Sequence, residues 1–328
     1  MKIKKLRSAV ATAALGCAAW KGVQKLMDGA KETPIPGVDG QPYANSQYFT
    51  SGKYTLHYRF DPAKGYEARG KIFMLHGFAC NSTFYDELVE IYTKQGFDCL
   101  RVDSPNFGFS TRETSFDGAV DREDLFFELL SMFDASGRTI PGKWILMGHS
   151  MGGGIAMNMA YENQDAFSCV VLYTPMGAVS MPAPFKNLIV AKPLAKIINT
   201  VFKVCMSSDA IVKIVMLLMT INPGYVSHYD PRKFGDSLTV PDTGTGLCYM
   251  TADARATNWK NNGKVNLPIQ LTWASIDLFN MPSTVRRFQD SLKDPEVITI
   301  KGAGHCVIQD RADEVSANTL AFFQKHGI

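Results

Sequence analysis

No stretch of this 328-residue chain reaches the ~20 continuous apolar residues that a bilayer-spanning helix needs. Cysteine is sparse: Cys17, Cys80, Cys99, Cys169, Cys205, Cys248 and Cys306 include no CxxC pair. That spacing excludes a zinc ribbon and gives no metal site, and a disulfide scaffold would need a denser set. Glycine and proline, 27 and 16 residues, are too few for a collagen-like or low-complexity chain. The bulk of the chain also lacks a basic excess. The net charge is +3, but residues 1–31 alone carry +6, which leaves −3 on residues 32–328. A surface that tracks phosphates is therefore not expected, and nucleic acid is not expected as a partner.

What remains, 46% apolar and 20% charged residues, is the composition of a globular protein. The length exceeds one ordinary core but is short for two, so one domain with an insertion fits.

The first segment, residues 1–28, is set apart by its order. Met1 to Arg7 is cationic, Ser8 to Trp20 is small and apolar, and Lys21 closes the run. That is the architecture of a signal peptide. Leu15-Gly16-Cys17 also loosely matches a lipobox, with Ala14 in place of the usual Leu. An uncleaved helix lying on a membrane is the other reading of the segment. The chain is thus expected to be exported or membrane-associated, with a cytoplasmic location as the alternative. Residues 29–48, with Pro34, Pro36, Gly37, Gly40 and Pro42, read as a linker.

From residue 49 onward, apolar runs alternate with helical patterns. Lys71–His76, Phe97–Asp103, Trp144–Met147, Ser168–Tyr173, Pro268–Ala274 and Val297–Ile300 read as buried strands. Helices are expected over 82–95, 119–135, 151–164, 282–293 and 311–325. Strands apolar throughout and separated by helices imply an α/β fold, a mostly parallel sheet covered on both faces. Lys53–Phe60 alternates instead and is expected as an antiparallel edge strand. Cys99 and Cys169, inside apolar runs, are expected as buried thiols.

The alternation divides the chain into a first core part (49–175), an insertion (176–265) and a second core part (266–328). The insertion is expected to hold helices over Phe185–Val204 and Ala210–Ile221, then an irregular run from Asn222 to Gly246. On the first helix Lys192, Lys196 and Lys203 share one face, and Val190, Leu194, Ile197 and Val201 lie opposite. Such a helix either packs its apolar face inward or offers it to a lipid.

Gly148-His149-Ser150-Met151-Gly152 is a G-x-S-x-G pentapeptide, preceded by a buried strand and followed by the small residues of a helix start. That strand–turn–helix setting is what a nucleophile elbow requires, and the helix N-terminus favours developing negative charge. A serine hydroxyl needs a base, and the base needs a group to orient it. His305 leaves the strand Val297–Ile300 through Lys301-Gly302-Ala303-Gly304 and precedes the last helix, where open α/β sheets place reactive groups. His57 lies in the early edge strand, His228 in the insertion and His326 two residues from the end, and His76 and His149 are better suited to holding loops. Among acids between Ser150 and His305, Asp277 follows a buried strand directly, whereas Asp236 and Asp253 fall in the insertion. The turn after Ser168–Tyr173 offers Thr174-Pro175 and no acid.

The order Ser150, Asp277, His305 resembles the α/β-hydrolase superfamily. His76-Gly77-Phe78 adds to the likeness, as does Asp103-Ser104-Pro105-Asn106-Phe107-Gly108-Phe109-Ser110, similar to a D-x-x-G-x-G-x-S loop. Asn106 stands where glycine is usual, a substitution that left-handed backbone tolerates. The resemblance covers about residues 50–175 and 266–328, and it is nearest to the monoacylglycerol lipase-like and small serine esterase branch, with the insertion as a helical cap. It implies an oxyanion hole of the Phe78 and Met151 backbone N–H groups, and hydrolysis of small-molecule or lipid esters through an acyl-enzyme. No cofactor or metal is implied. The Met- and Leu-rich insertion suggests lipophilic acyl groups such as those of monoacylglycerols, with the cap or N-terminus touching a membrane surface.

The same triad also serves acyltransferases, thioesterases and carbon–carbon hydrolases, and His305-x₄-Asp310 fits an acyltransferase string. A non-catalytic binder of lipophilic ligands is the alternative from another class. Oligomeric state, acyl length and the alcohol are not legible.

Overall fold

Alternation along the strands sets up two apolar layers. In the computed structural model, which describes residues 42–65, 67–116, 120–177, 182–253 and 259–328, Phe73 and Leu75 bury toward one face and Ile72 and Met74 toward the other. Eight strands carry this pattern: β1 (Ser46–Ser51), β2 (Tyr54–Asp61), β3 (Gly70–Leu75), β4 (Phe97–Val102), β5 (Trp144–His149), β6 (Phe167–Tyr173), β7 (Ile269–Ala274) and β8 (Glu296–Ile300). They form one sheet in the order β1-β2-β4-β3-β5-β6-β7-β8. The β1–β2 and β2–β4 pairs are antiparallel, and every other pair is parallel.

Three helices lie within the first part of the chain: α1 (Asp86–Lys94), α2 (Arg122–Ser136) and α3 (Met151–Glu162). Between β6 and β7 run α4 (Ala183–Ile189), α5 (Lys192–Met206), α6 (Asp209–Thr220), α7 (Pro223–His228), α8 (Arg232–Leu238), α9 (Thr243–Asp253) and the single turn α10 (Trp259–Asn262). The last three are α11 (Pro282–Asp290), the short α12 (Val307–Asp310) and α13 (Ala312–Lys325). α2 and α3 cover one sheet face through Phe126, Leu129, Phe133, Ile155 and Met159. α1 and α13 cover the other through Leu88, Tyr92, Val315 and Phe322. Each such side chain, once fully buried, contributes about 1.5–3 kcal/mol. The α/β architecture expected from the sequence is thus the one observed.

Four expectations need correction. Lys53–Phe60 is antiparallel but not at the edge, because β1 pairs outside it. That strand, with half-buried residues and no continuous apolar run, straddles the expected linker boundary. The helix expected over Phe185–Val204 is broken between Ile189 and Lys192. Pro193 has no N–H and fits only the first turn of a helix, so it starts α5 rather than continuing α4. The run from Asn222 to Gly246 is helical: Asn222 accepts from the Tyr225 N–H, and Pro223 opens α7. Pro223 and Pro231 stand at helix starts, while Gly235 and Gly246 lie inside helices, so residues that read as loop signals in sequence are absorbed by helix. Finally, Ile197 and Val201 are not inside, being 60% and 56% exposed, while Ala195 and Met206 are the buried positions of α5. Residues 1–41, including the signal-like segment, Cys17 and most of the expected linker, lie outside the described residues.

The six described cysteines are free thiols, with Cys99 and Cys169 buried as expected. No described helix is long and apolar enough to cross a membrane. An ion-pair cluster centred on buried Arg101 ties the insertion to the core: Arg101 pairs with Asp61 and Asp86, and half-buried Asp86 also takes Arg59 at 2.9 Å and the more exposed Lys233 of α8 at 3.2 Å.

Candidate active site

Each candidate residue leaves the C-terminal end of a parallel strand, where the chain must turn away from the sheet. Ser150 sits between β5 and α3 with φ 53° and ψ −120°, a conformation that side chains rarely adopt. The neighbours make room for that turn. A Cβ on Gly152 would collide with the Leu75 carbonyl, and one on Gly148 with the Gly152 carbonyl. The strained backbone is held from β6, since the Ser150 N–H donates to Tyr173 O at 3.0 Å and Ser150 O accepts from Met176 N at 2.8 Å.

The structure brings Ser150, Asp277 and His305 together. His305 Nε2 lies 2.8 Å from Ser150 Oγ, and His305 Nδ1 lies 2.8 Å from Asp277 Oδ2. Both imidazole nitrogens are therefore engaged. Asp277 Oδ1 accepts from the Phe279 and Asn280 N–H groups at 2.8 and 3.0 Å. Burial opposes ionisation of this carboxyl. The hydrogen bond and charge of His305, together with the two loop N–H donors, outweigh that penalty and hold it below the ordinary aspartate value.

The His305 loop is gripped through its backbone. His305 O accepts from Thr174 Oγ1 at 2.7 Å and from His149 Nε2 at 3.1 Å. Its flanking N–H groups are taken by the insertion: Gly304 N donates to Thr220 O and Cys306 N to Met219 O. Those carbonyls end α6, where a helix has no internal donors left for them.

Met151 follows Ser150 directly, and Phe78 lies in a turn packed against it. Met151 is the first residue of α3, so its N–H has no acceptor within the helix. Phe78 belongs to the turn after β3, closed by Cys80 N donating to Gly77 O at 3.2 Å. That turn lies against the elbow, for a Cβ on Gly77 would sit 3.0 Å from Ser150 Cβ. The Phe78 ring leans on Phe107 with centroids 5.5 Å apart.

Three other histidines hold loops, among them the two expected to do so from the sequence, His76 and His149. His76 Nδ1–H donates to Gly77 O, and its Nε2 accepts from Ser104 N. Burial lowers its pKa. His149 is buried too, and burial with the nearby His305 pushes its pKa down to about 3. His57 pairs instead with Asp103 at 2.7 Å and with Ser46 Oγ at 2.8 Å. Burial works against the Asp103 charge, yet His57, His76 and the Phe109 N–H hold its carboxyl far below its ordinary value. Asn106 does adopt the left-handed backbone, φ 71°, and its amide brackets Glu113 on both sides.

Asp253, one of the rejected acids, accepts from Val120 N and Arg122. Asp310, of the acyltransferase string, accepts from Asn222. Thr174 and Asn280 had no signal in the sequence: neither stands in a motif, and only the folded loops bring them beside the triad. No cluster of metal-ligating side chains occurs among the described residues.

Residues 66–312 match the family model described as serine aminopeptidase, S33. The chain belongs to that family and is an α/β-hydrolase enzyme. It is 21% identical over 261 residues to an uncharacterised hydrolase, YugF, of Bacillus subtilis (strain 168), covering 78% of this chain and 90% of that one. A thermophilic esterase from Thermogutta terrifontis superposes with a TM-score of 0.66 at 17% identity, over 86% of this chain and 99% of the esterase. A membrane phospholipase A described as a bacterial virulence factor superposes with a TM-score of 0.62 at 15% identity, over 99% of each chain. At such identities these structures share the fold.

Proposed function

We propose that this hydrolase cleaves carboxylic esters with lipophilic acyl groups, with Ser150 as nucleophile, His305 as general acid and base, and Asp277 as the group that orients it. The observation that carries the reading is the unbroken hydrogen-bonded chain from Ser150 Oγ through both nitrogens of His305 to Asp277 Oδ2. The Ser150 hydroxyl attacks the ester carbonyl as His305 Nε2 takes its proton. Ionised Asp277 holds the imidazole with Nδ1–H inward and stabilises its positive charge. The Phe78 and Met151 N–H groups receive the oxyanion, one from a loop and one from a helix N-terminus. The alcohol departs with the proton from His305. Water then cleaves the acyl-enzyme by the same roles reversed, giving the acid and free Ser150.

The lipophilic preference is supported by what surrounds the site. Phe78, Leu278, Phe279 and Met281 are all more than two-fifths exposed around the triad loops. On the insertion, which we read as a cap, Phe185, Leu188, Ile197, Val201, Ile214 and Leu218 are exposed as well. Apolar side chains in such number mark a surface for lipid or protein. Within residues 183–221, Lys186, Lys192, Lys196, Lys203 and Lys213 accompany them against the one acid Asp209, which pairs with Arg232. Apolar area mixed with positive charge suits an anionic lipid surface. The membrane phospholipase likeness and the cationic, apolar segment before residue 28 point the same way, toward export or membrane attachment.

The test is hydrolysis of p-nitrophenyl esters from acetyl to palmitoyl by the full chain beside Ser150→Ala. Turnover that is lost in the variant and rises with acyl length is expected. Turnover that survives Ser150→Ala would remove the nucleophile assignment, and a preference for acetyl would remove the lipophilic one.

A further inference from the structure

We infer that Asn280 is a positioning residue for the reaction, tying the Asp277 carboxylate to the strand loop that grips His305. The inference rests on the serine esterase reading above, but its geometry extends beyond the three residues named there. Asn280 Nδ2 lies 3.0 Å from Asp277 Oδ2, the same oxygen that faces His305 Nδ1. It also lies 3.1 Å from Thr174 O. Thr174 in turn donates its hydroxyl to His305 O at 2.7 Å. The result is a closed ring of contacts: His305 side chain, Asp277, Asn280, Thr174, His305 backbone.

Three observations favour a purpose beyond filling space. Asn280 is 5% exposed, and its Oδ1 has no hydrogen-bond partner. The amide orientation is therefore set wholly by Nδ2 facing two acceptors, because turning it over would place oxygen against two oxygens. Thr174 is fully buried and held at φ 40°, a costly conformation for a β-branched residue. Its N–H donates to Thr272 O at 2.7 Å, so the strained residue bridges β6 and β7 just where Asn280 and His305 meet it. A buried residue in a sparse conformation persists only when its surroundings over-determine it. Here those surroundings are the donors and acceptors of the site itself.

The physical consequence is twofold. A neutral donor on Asp277 Oδ2 fixes the carboxylate plane, so that one oxygen accepts from the loop N–H groups and the other faces the imidazole. Through Thr174, the same amide couples that plane to the backbone position of His305. Without it, Asp277 keeps its Oδ1 contacts but gains freedom to rotate away from His305 Nδ1. Misplacement of a reacting group by about 1 Å is enough to cost about 100-fold in rate, so a partial loosening should cost about tenfold.

The test compares the full chain with Asn280→Leu, which keeps the volume and removes the amide, and with Thr174→Val, which removes only the hydroxyl. Steady-state ester hydrolysis and the downfield proton resonance of a histidine Nδ1–H bonded to a carboxylate are both read, with thermal midpoints to confirm folding. The expected result is a roughly tenfold lower kcat with KM unchanged in each variant. Acting on one ring of contacts, the double variant should be much less than a hundredfold down. The downfield resonance should broaden in Asn280→Leu through faster exchange. A kcat within twofold of native with the resonance intact would overturn the inference, as would a rise in KM alone. If the native chain turns over no ester yet its resonance broadens in Asn280→Leu, the esterase reading fails while the positioning role stands. An unchanged resonance in that case overturns both.

Discussion

The sheet end and the helical insertion invert the usual placing of residues, one burying polar groups and the other exposing apolar ones. At the sheet end, Ser150, His305 and Asn280 are buried and each polar contact is short and directional. On the insertion, Ile197, Val201 and Ile214 face outward. A rigid sheet can hold atoms to a few tenths of an ångström, which proton transfer demands. A helical layer with exposed apolar residues would suit the lipophilic ester proposed above. The two regions are nonetheless joined where it matters, because Thr220 and Met219 of α6 hold the N–H groups on either side of His305. Part of the position of His305 is therefore owed to the insertion.

The sharpest way to test the sheet end is to remove its chemistry. Ser150→Ala should lower kcat/KM by about 10⁴-fold or more, and Asp277→Asn by up to about 10⁴-fold, with thermal unfolding near native. The joint between regions is tested by Gly304→Ala. A Cβ there would stand 2.6 Å from Met219 O and 2.8 Å from Thr220 O, so either α6 or the His305 loop must shift. We expect about a tenfold loss of kcat, and a loss below twofold would show that the insertion leaves the base undisturbed.

Acidification separates stability from chemistry. His76 and His149 are held below the ordinary histidine value of 6.5, the latter near 3. The unfolded chain then binds protons that the folded chain refuses, so stability falls as pH drops below about 6.5. Each group contributes a slope of about 1.4 kcal/mol per pH unit between its two values. Asp103 and Asp277, depressed from 3.8, keep their contribution above that value and lose it as pH falls through their folded ones. Thermal midpoints measured from pH 8 to 4 should fall in that range, and His149→Gln should flatten the fall.

The exposed face is tested by a ratio of substrates, because its variants should leave hydrolysis of dissolved ester unchanged. The pair Ile197→Ser and Val201→Ser should lower hydrolysis of vesicle-embedded ester relative to dissolved ester about tenfold, from the apolar area no longer buried in lipid. An unchanged ratio would reassign that face to a protein partner.

Much of the site was legible because its constraints are local. A strand, a turn that admits only glycine two positions either side of Ser150, and a helix start occupy ten consecutive residues, and His305 and Asp277 each follow a readable strand. Pro193 carried a signal that the expected long helix ignored. β1 carried little, being short and half-buried. Nothing local marked Ile197 and Val201 as outward, because a 3.6-residue period shows that a helix has an apolar face but not what that face meets.

The chain's order of residues determined the sheet, the elbow and the three side chains that leave strand ends, since backbone sterics and apolar periodicity act within a few residues. The tertiary structure alone decided which face of α5 is exposed, that α6 ends against the His305 loop, and that Asn280 and Thr174 close a ring around Asp277. Those contacts span up to 131 positions of sequence, as between Thr174 and His305. They exist only once the strands have brought their loops to one edge.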